Sequence, residues 1–266
     1  MDVRLLLIDP QNDFCNPTGS LYVEGASDDC IRTAKMIDRL GGKLKKIYAT
    51  FDSHSQYQIF HSMFWKQQNG GVVAPFTMIK YDDVMSGAIT PVDPNMLEWA
   101  KLYTKALEDG KRYALVVWPY HCLIGTSGWC MNPEIMKSIL QWERDNYRSF
   151  RPITKGSCFR TEHYSAVKAE VEVPDDPSTQ LNMRGLITPL EEGDMIIIGG
   201  QARNFCLANT VRDIMKNFSN PDYIKKLYIL EDGTSDVPGF GTLGDDFIND
   251  FVNAGGNITT TDRILS

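Results

Sequence analysis

The chain has 266 residues, of which 42% are hydrophobic, 23% charged and 11% aromatic, and its 27 Lys/Arg against 34 Asp/Glu leave a formal charge of −7. Those proportions are ordinary for a globular protein and exclude disorder, collagen and coiled coil. A mildly acidic chain with no Lys/Arg run is no general binder of nucleic acid or anionic membrane, and no apolar stretch reaches the ~18–20 residues of a membrane span.

At roughly 100–200 residues per domain, residues 1–266 read as one large domain. Residues 4–9 (RLLLID) are a buried first strand ending in an acid; the early Asp2 and the short apolar run argue against an export signal. Residues 28–44 carry apolar side chains at helical spacing, with Ser27 or Asp28 as N-cap. Residues 46–51 (KIYATF) are a second strand. Residues 56–94 are irregular, rich in Gly and aromatics, and read as an insertion forming a lid or a subunit contact. A helix over 95–109 precedes a third strand at 113–118 (YALVVW). Pro133 opens a helix over 133–148. After a short extended segment at 150–154, the chain is irregular over 173–190. Residues 194–199 (DMIIIG) are a fourth strand, followed by a helix over 204–218. Strands at 226–231 and 257–260 flank a helix over 245–253. Strands without alternation, each followed by a helix, imply an α/β fold: a three-layer α/β/α sandwich on a six-stranded, mostly parallel sheet.

In such sheets ligands bind at the carboxyl ends of the strands. Asp9 ends the first strand, where an acid serves as a base or caps the next turn. Asp52 and His54, two apart in an extended segment, face one side, and His121 follows the third strand; His61 lies nearby. Carboxylate plus imidazole suits Zn²⁺, Mn²⁺ or Fe²⁺ and leaves open coordination positions. Cys206 sits in the first turn of a helix after a Gly-Gly pair. There the helix dipole should lower its pKa, and the turn is shaped like a nucleophile elbow. The other five Cys lack that context and read as free thiols in a reducing compartment. Lys155, beside Gly156, is either a solvated loop charge or a partner of Cys206 and Asp9. No G-x-G-x-x-G follows the first strand, which disfavours a dinucleotide site.

Taken together, residues 8–14 (IDPQNDF), Asp52-Ser53-His54 with His61, 118–127 (WPYHCLIGTS), Lys155-Gly156 with Tyr164-Ser165-Ala166, and 200–206 (GQARNFC) resemble the isochorismatase-like cysteine hydrolases. Within these the set is similar to the nicotinamidase/pyrazinamidase family, over residues 3–232. The resemblance implies a cytoplasmic, metal-dependent amidohydrolase converting nicotinamide to nicotinate and ammonia in NAD salvage, with pyrazinamide a second substrate. It implies Cys206 as nucleophile, Asp9 as acid/base and Lys155 as the third triad member. Asp52, His54 and His121, with His61 as a further candidate, would hold one divalent ion, zinc first among them. Phe14 and Trp118 would flank the ring, and Gln201 would join the substrate contacts. Ala202, after a cis peptide, and Cys206 would line the oxyanion hole. Neither nucleic acid nor membrane is expected as a partner, and the sequence leaves the oligomeric state open, a homo-oligomer included. The chain departs from the family at Ser53, where an aromatic is common, at Gln201, where a bulky aliphatic is, and at Asn204, where an acid is. A second enzyme reading is a related amidase acting on a carbamoyl or ureido compound; a third is a non-enzymatic binding protein on the same fold.

Overall fold

The computed structural model describes every residue except Lys111 and Arg112. Six parallel strands form its central sheet: β1 (Val3–Ile8), β2 (Leu44–Asp52), β3 (Arg151–Lys155), β4 (Met195–Gly200), β5 (Leu227–Leu230) and β6 (Asn257–Thr259). Their order is β6-β5-β4-β1-β2-β3. The two middle strands are the most apolar. Leu5 to Ile8 and Ile196 to Ile198 are fully buried, as strands covered on both faces must be. Each such side chain contributes about 1.5–3 kcal/mol by leaving water.

Helices cover both faces, giving the expected three layers. They are α1 (Ala26–Leu40), α2 (Leu97–Gly110), α3 (Pro133–Asn146), α4 (Ala208–Asn217) and α5 (Leu243–Asn253). α1 packs on α3, and α4 on α5. α1 buries Cys30, Thr33, Ala34, Ile37 and Leu40, a stripe at spacings of three and four. Its start differs from expectation. Gly25, in the left-handed region at φ 91°, precedes it, and no side chain caps it. No described helix is long and apolar enough to cross a membrane.

The expected six strands include one wrong member. Of residues 113–118, only Leu115–Val116 are extended, and they pair antiparallel with Met78–Ile79, off the main sheet. The place beside β2 is taken by β3, paired from Tyr48↔Arg151 to Asp52↔Lys155. An apolar run shows that a segment is buried, but not which edge it joins. Residues 56–94 pack into the same core: Ile59, Phe60, Phe64, Trp65, Ile79 and Val84 are buried in it, and Trp65–Gln67 pairs with Ile89–Pro91.

Candidate active site

Four neighbouring strands, β4-β1-β2-β3, deliver their carboxyl ends to one place. Asp9 follows β1, Asp52 closes β2, Lys155 closes β3, and the turn to Cys206 follows β4. Asp9 is in the left-handed region at φ 42°, and its backbone N–H donates to Thr50 Oγ1 at 2.9 Å. The Thr50 hydroxyl in turn donates to Asp9 Oδ1 at 2.5 Å. One residue thus fixes both the backbone and the carboxylate of Asp9.

Lys155 is the hub. Its Nζ lies 2.9 Å from Asp9 Oδ2, 2.8 Å from Asp52 Oδ1, 3.0 Å from the carbonyl of His163 and 3.6 Å from Cys206 Sγ. All four side chains are buried. Burial alone would lower the Lys155 ammonium, but the two carboxylates outweigh it and hold it well above its ordinary value. Burial would likewise push Asp52 up, but His54, Lys155 and His121 hold it well below the carboxylate range. One cation cannot serve both acids equally. Asp52 keeps the charge, and burial raises the Asp9 carboxyl against the pull of Lys155.

The surroundings of Cys206 differ from expectation. Cys206 lies within a π-helical turn, Arg203–Leu207, that runs directly into α4. Burial pushes its thiol well above the ordinary value, Lys155 opposing without prevailing. Removal from water thus works against the lowering expected from a helix terminus at this turn.

Beside this cluster, Asp52, His54 and His121 bring donor atoms within 4.8 Å of one another. His54 Nδ1 faces the Gly156 carbonyl at 2.9 Å, and His121 Nδ1 faces the Pro119 carbonyl at 2.8 Å. Carbonyls only accept, so both rings carry a proton on Nδ1, and Nε2 is the nitrogen left to face Asp52 or a cation. Those Nε2 atoms point at Asp52 Oδ2, from 3.2 Å for His54 and 3.8 Å for His121. His54 Nε2 is buried without a hydrogen-bond partner, which fits a cation. His61 is set the same way, its Nδ1 3.1 Å from the Gln56 carbonyl, but it lies outside the tight donor group. Its ring centroid is 5.7 Å from that of His121. Gly156 is required here. Its φ is +79°, and a Cβ would meet His54 Cε1 at 2.5 Å and Asp52 Oδ1 at 2.9 Å.

A cavity of about 30 Å³ opens onto both clusters, lined by Phe14, Trp118, Tyr164, Phe205 and Ala202 around Cys206, Asp52 and His121. The Gln201–Ala202 peptide is cis. Gln201 itself turns away, which corrects its expected place among substrate contacts. Its Nε2 donates to Asp29 Oδ2 at 2.9 Å and its Oε1 accepts from the Ser235 amide at 3.2 Å. A polar side chain finds partners behind the turn that an aliphatic one would not need.

Several site residues escaped the sequence reading. Glu162 lines the cavity, and burial pushes its carboxyl up to about 7. Gln11 pairs with the backbone of Asp52 through both ends of its amide, at 2.7 and 2.8 Å. His163 accepts from the Gly156 amide at 3.3 Å while its carbonyl holds Lys155. Ser53, at a position that departs from the family, accepts from Trp129 Nε1 at 2.9 Å. Isolated polar residues carry no periodicity, so only the motif 8–14 and the segment before Tyr164 hinted at any of them.

No family model matches the chain, and no curated protein matches it by sequence. Solved structures do match it over nearly its whole length. A nicotinamidase/pyrazinamidase from Acinetobacter baumannii is 20% identical, with 99% of this chain and 98% of that one covered and a TM-score of 0.63. The yeast nicotinamidase bound to the inhibitor nicotinaldehyde is 17% identical, covering 97% and 99%, at 0.65. The pyrazinamidase of Pyrococcus horikoshii in complex with zinc is 17% identical, covering 98% and 99%, at 0.56. The chain thus has the isochorismatase-like α/β fold, shared from end to end with nicotinamidases and pyrazinamidases.

Proposed function

We propose that the protein is a metal-dependent cysteine amidohydrolase that converts nicotinamide to nicotinate and ammonia. The observation that carries this reading is the buried Lys155, within 2.9 Å of Asp9 and 3.6 Å of Cys206 at a cavity walled by aromatic rings. Asp9 takes the Cys206 proton as the sulfur attacks the carboxamide carbon. Lys155 stays charged and balances the carboxylate and sulfur in turn. Backbone N–H groups of Ala202 and Cys206 receive the oxyanion. Asp9 returns the proton to the departing ammonia, leaving a thioester. Water, deprotonated by Asp9, then hydrolyses it and frees nicotinate.

Phe14 and Trp118 flank the ring in this reading. Asp52, His54 and His121 would hold the divalent ion, with His61 beside them. Zinc is the first assignment, and Mn²⁺ or Fe²⁺ suit the same donors. An ion held there would supply a Lewis acid for the ring nitrogen of a pyridine amide.

The test is ammonia release from nicotinamide, pyrazinamide and a panel of ureido and carbamoyl compounds, with metal analysis of the same preparation. We expect hydrolysis of the two pyridine-type amides and close to one equivalent of metal. Turnover confined to ureido compounds, in metal-free protein, would overturn the reading in favour of a different amidase.

A further inference from the structure

Part of the cavity lining comes from a segment that no motif touches. Val237 lines the cavity beside Cys206, and Leu21 lines it too. Val237 is held as a strand residue would be. Its N–H donates to Asn204 Oδ1 at 3.0 Å, and its carbonyl accepts from Asn204 Nδ2 at 2.9 Å. The residues before it are tied to the same turn. The Asp236 carboxylate takes a forked pair of bonds from Arg203, and the Ser235 carbonyl accepts from the Arg203 amide at 2.8 Å. Residues 235–237 and the turn carrying Cys206 therefore form one body. A carboxylate at position 204 could accept from the Val237 amide but would repel its carbonyl; only an amide serves both. That gives Asn204, where related chains carry an acid, a physical role.

Space is short on this side. The cavity is small, about 30 Å³, so whatever enters it meets the lining side chains directly. The wall does not yield without breaking the Asn204 and Arg203 bonds. Phe240, just beyond it, packs edge-on against Phe205 at 4.7 Å and lies 5.7 Å from Trp118, which backs the wall with aromatic rings.

We propose that Val237, clamped by Asn204, is the specificity-determining wall that confines the substrate to a small aromatic carboxamide without ring substituents. This deepens the proposed function and rests on it. The test compares kcat/KM for nicotinamide and for its 2-, 5- and 6-methyl derivatives in wild type, Val237→Ala, Val237→Leu and Asn204→Asp. One methyl group against a hydrophobic wall is worth about 10- to 200-fold. We expect Val237→Ala to raise the methylated-to-plain ratio about tenfold for at least one derivative, and Val237→Leu to lower it. Asn204→Asp should raise KM more than it changes kcat. Ratios within twofold of wild type in both Val237 variants overturn the proposal.

A second readout does not need turnover. Alkylation of Cys206 by iodoacetamide and by N-phenyl iodoacetamide, followed by peptide mass mapping, measures the same space. Val237→Ala should raise the phenyl-to-plain rate ratio, and an unchanged ratio overturns the wall. If wild type hydrolyses no pyridine amide yet the alkylation ratio moves, the proposed substrate falls while the wall stands.

Discussion

The two sides of the candidate site are held by different means. Asp9, Asp52, Lys155 and Cys206 stand at the ends of four adjacent parallel strands, where backbone pairing sets their separation. Trp118 and His121 come from a segment off the sheet, attached by single bridges, His61↔Trp118 and His54↔Leu123, and by contacts among aromatic and imidazole rings. In the proposed function the sheet side would carry the chemistry and the off-sheet side would receive the ring. Rigid pairing suits groups that must exchange a proton; a packed, less regular wall suits recognition.

Mutations can break that division. Cys206→Ala should have the largest effect, a loss of about 10⁴-fold or more in ammonia release with thermal unfolding little changed. An active Cys206→Ala protein would end the thioester mechanism. Lys155→Met comes next. It should lower kcat about 10³-fold, and by leaving two buried carboxylates without a cation it should cost about 3–5 kcal/mol in chemical denaturation. A Lys155→Met protein as stable as wild type contradicts the role of Lys155 as hub.

Gly156→Ala reaches both sides at once, since the added methyl meets His54 and Asp52. We expect about a 10²-fold loss of kcat/KM together with lower metal content. His121→Ala sharpens the contrast, because it should act mainly on binding. KM should rise about tenfold or more while kcat changes less, and stability should fall less than in Lys155→Met. A pure kcat effect would place His121 with the chemistry instead.

The smallest effect is in pH. Burial and Lys155 depress His163 to about 3 from its ordinary 6.5. The stability it supplies is complete above 6.5 and is lost as pH falls from there toward 3. Burial raises Glu162 from its ordinary 4.5 to about 7. Its contribution is complete below 4.5 and is lost as pH rises through 7. Between 4.5 and 6.5 the two slopes, each about 1.4 kcal/mol per pH unit, have opposite sign and cancel. Glu162→Gln should uncover the His163 slope, so that unfolding free energy falls from pH 6.5 to 5 where wild type changes less. Parallel curves for the two proteins would contradict this assignment.

How much of this the residues announced depends on which side is considered. The strand reading placed Asp9, Asp52 and Cys206 at strand ends because continuous apolar runs stop at an acid or a Gly-Gly turn. Lys155 was ambiguous, since β3 is only five residues long with three of them exposed. The run at 113–118 has the composition of a sheet strand, yet it lies elsewhere, because composition records burial and not partner. The thiol of Cys206 was expected to be acidified by its helix, but its position under Trp118 and Phe205 made burial the stronger influence. Gln11, Asn204, Glu162 and Val237 matter through bonds and walls that join residues far apart in the chain.

By itself the sequence determined the α/β layering and the ends of β1, β2 and β4, because these follow from local periodicity and from what each side chain can do. Tertiary structure alone decided that one ammonium would sit between two carboxylates and a thiol. It also decided that burial would raise Asp9 while Asp52 stays low, and that Val237 would line the cavity. Those outcomes depend on distances and on exclusion from water, which only the folded chain creates.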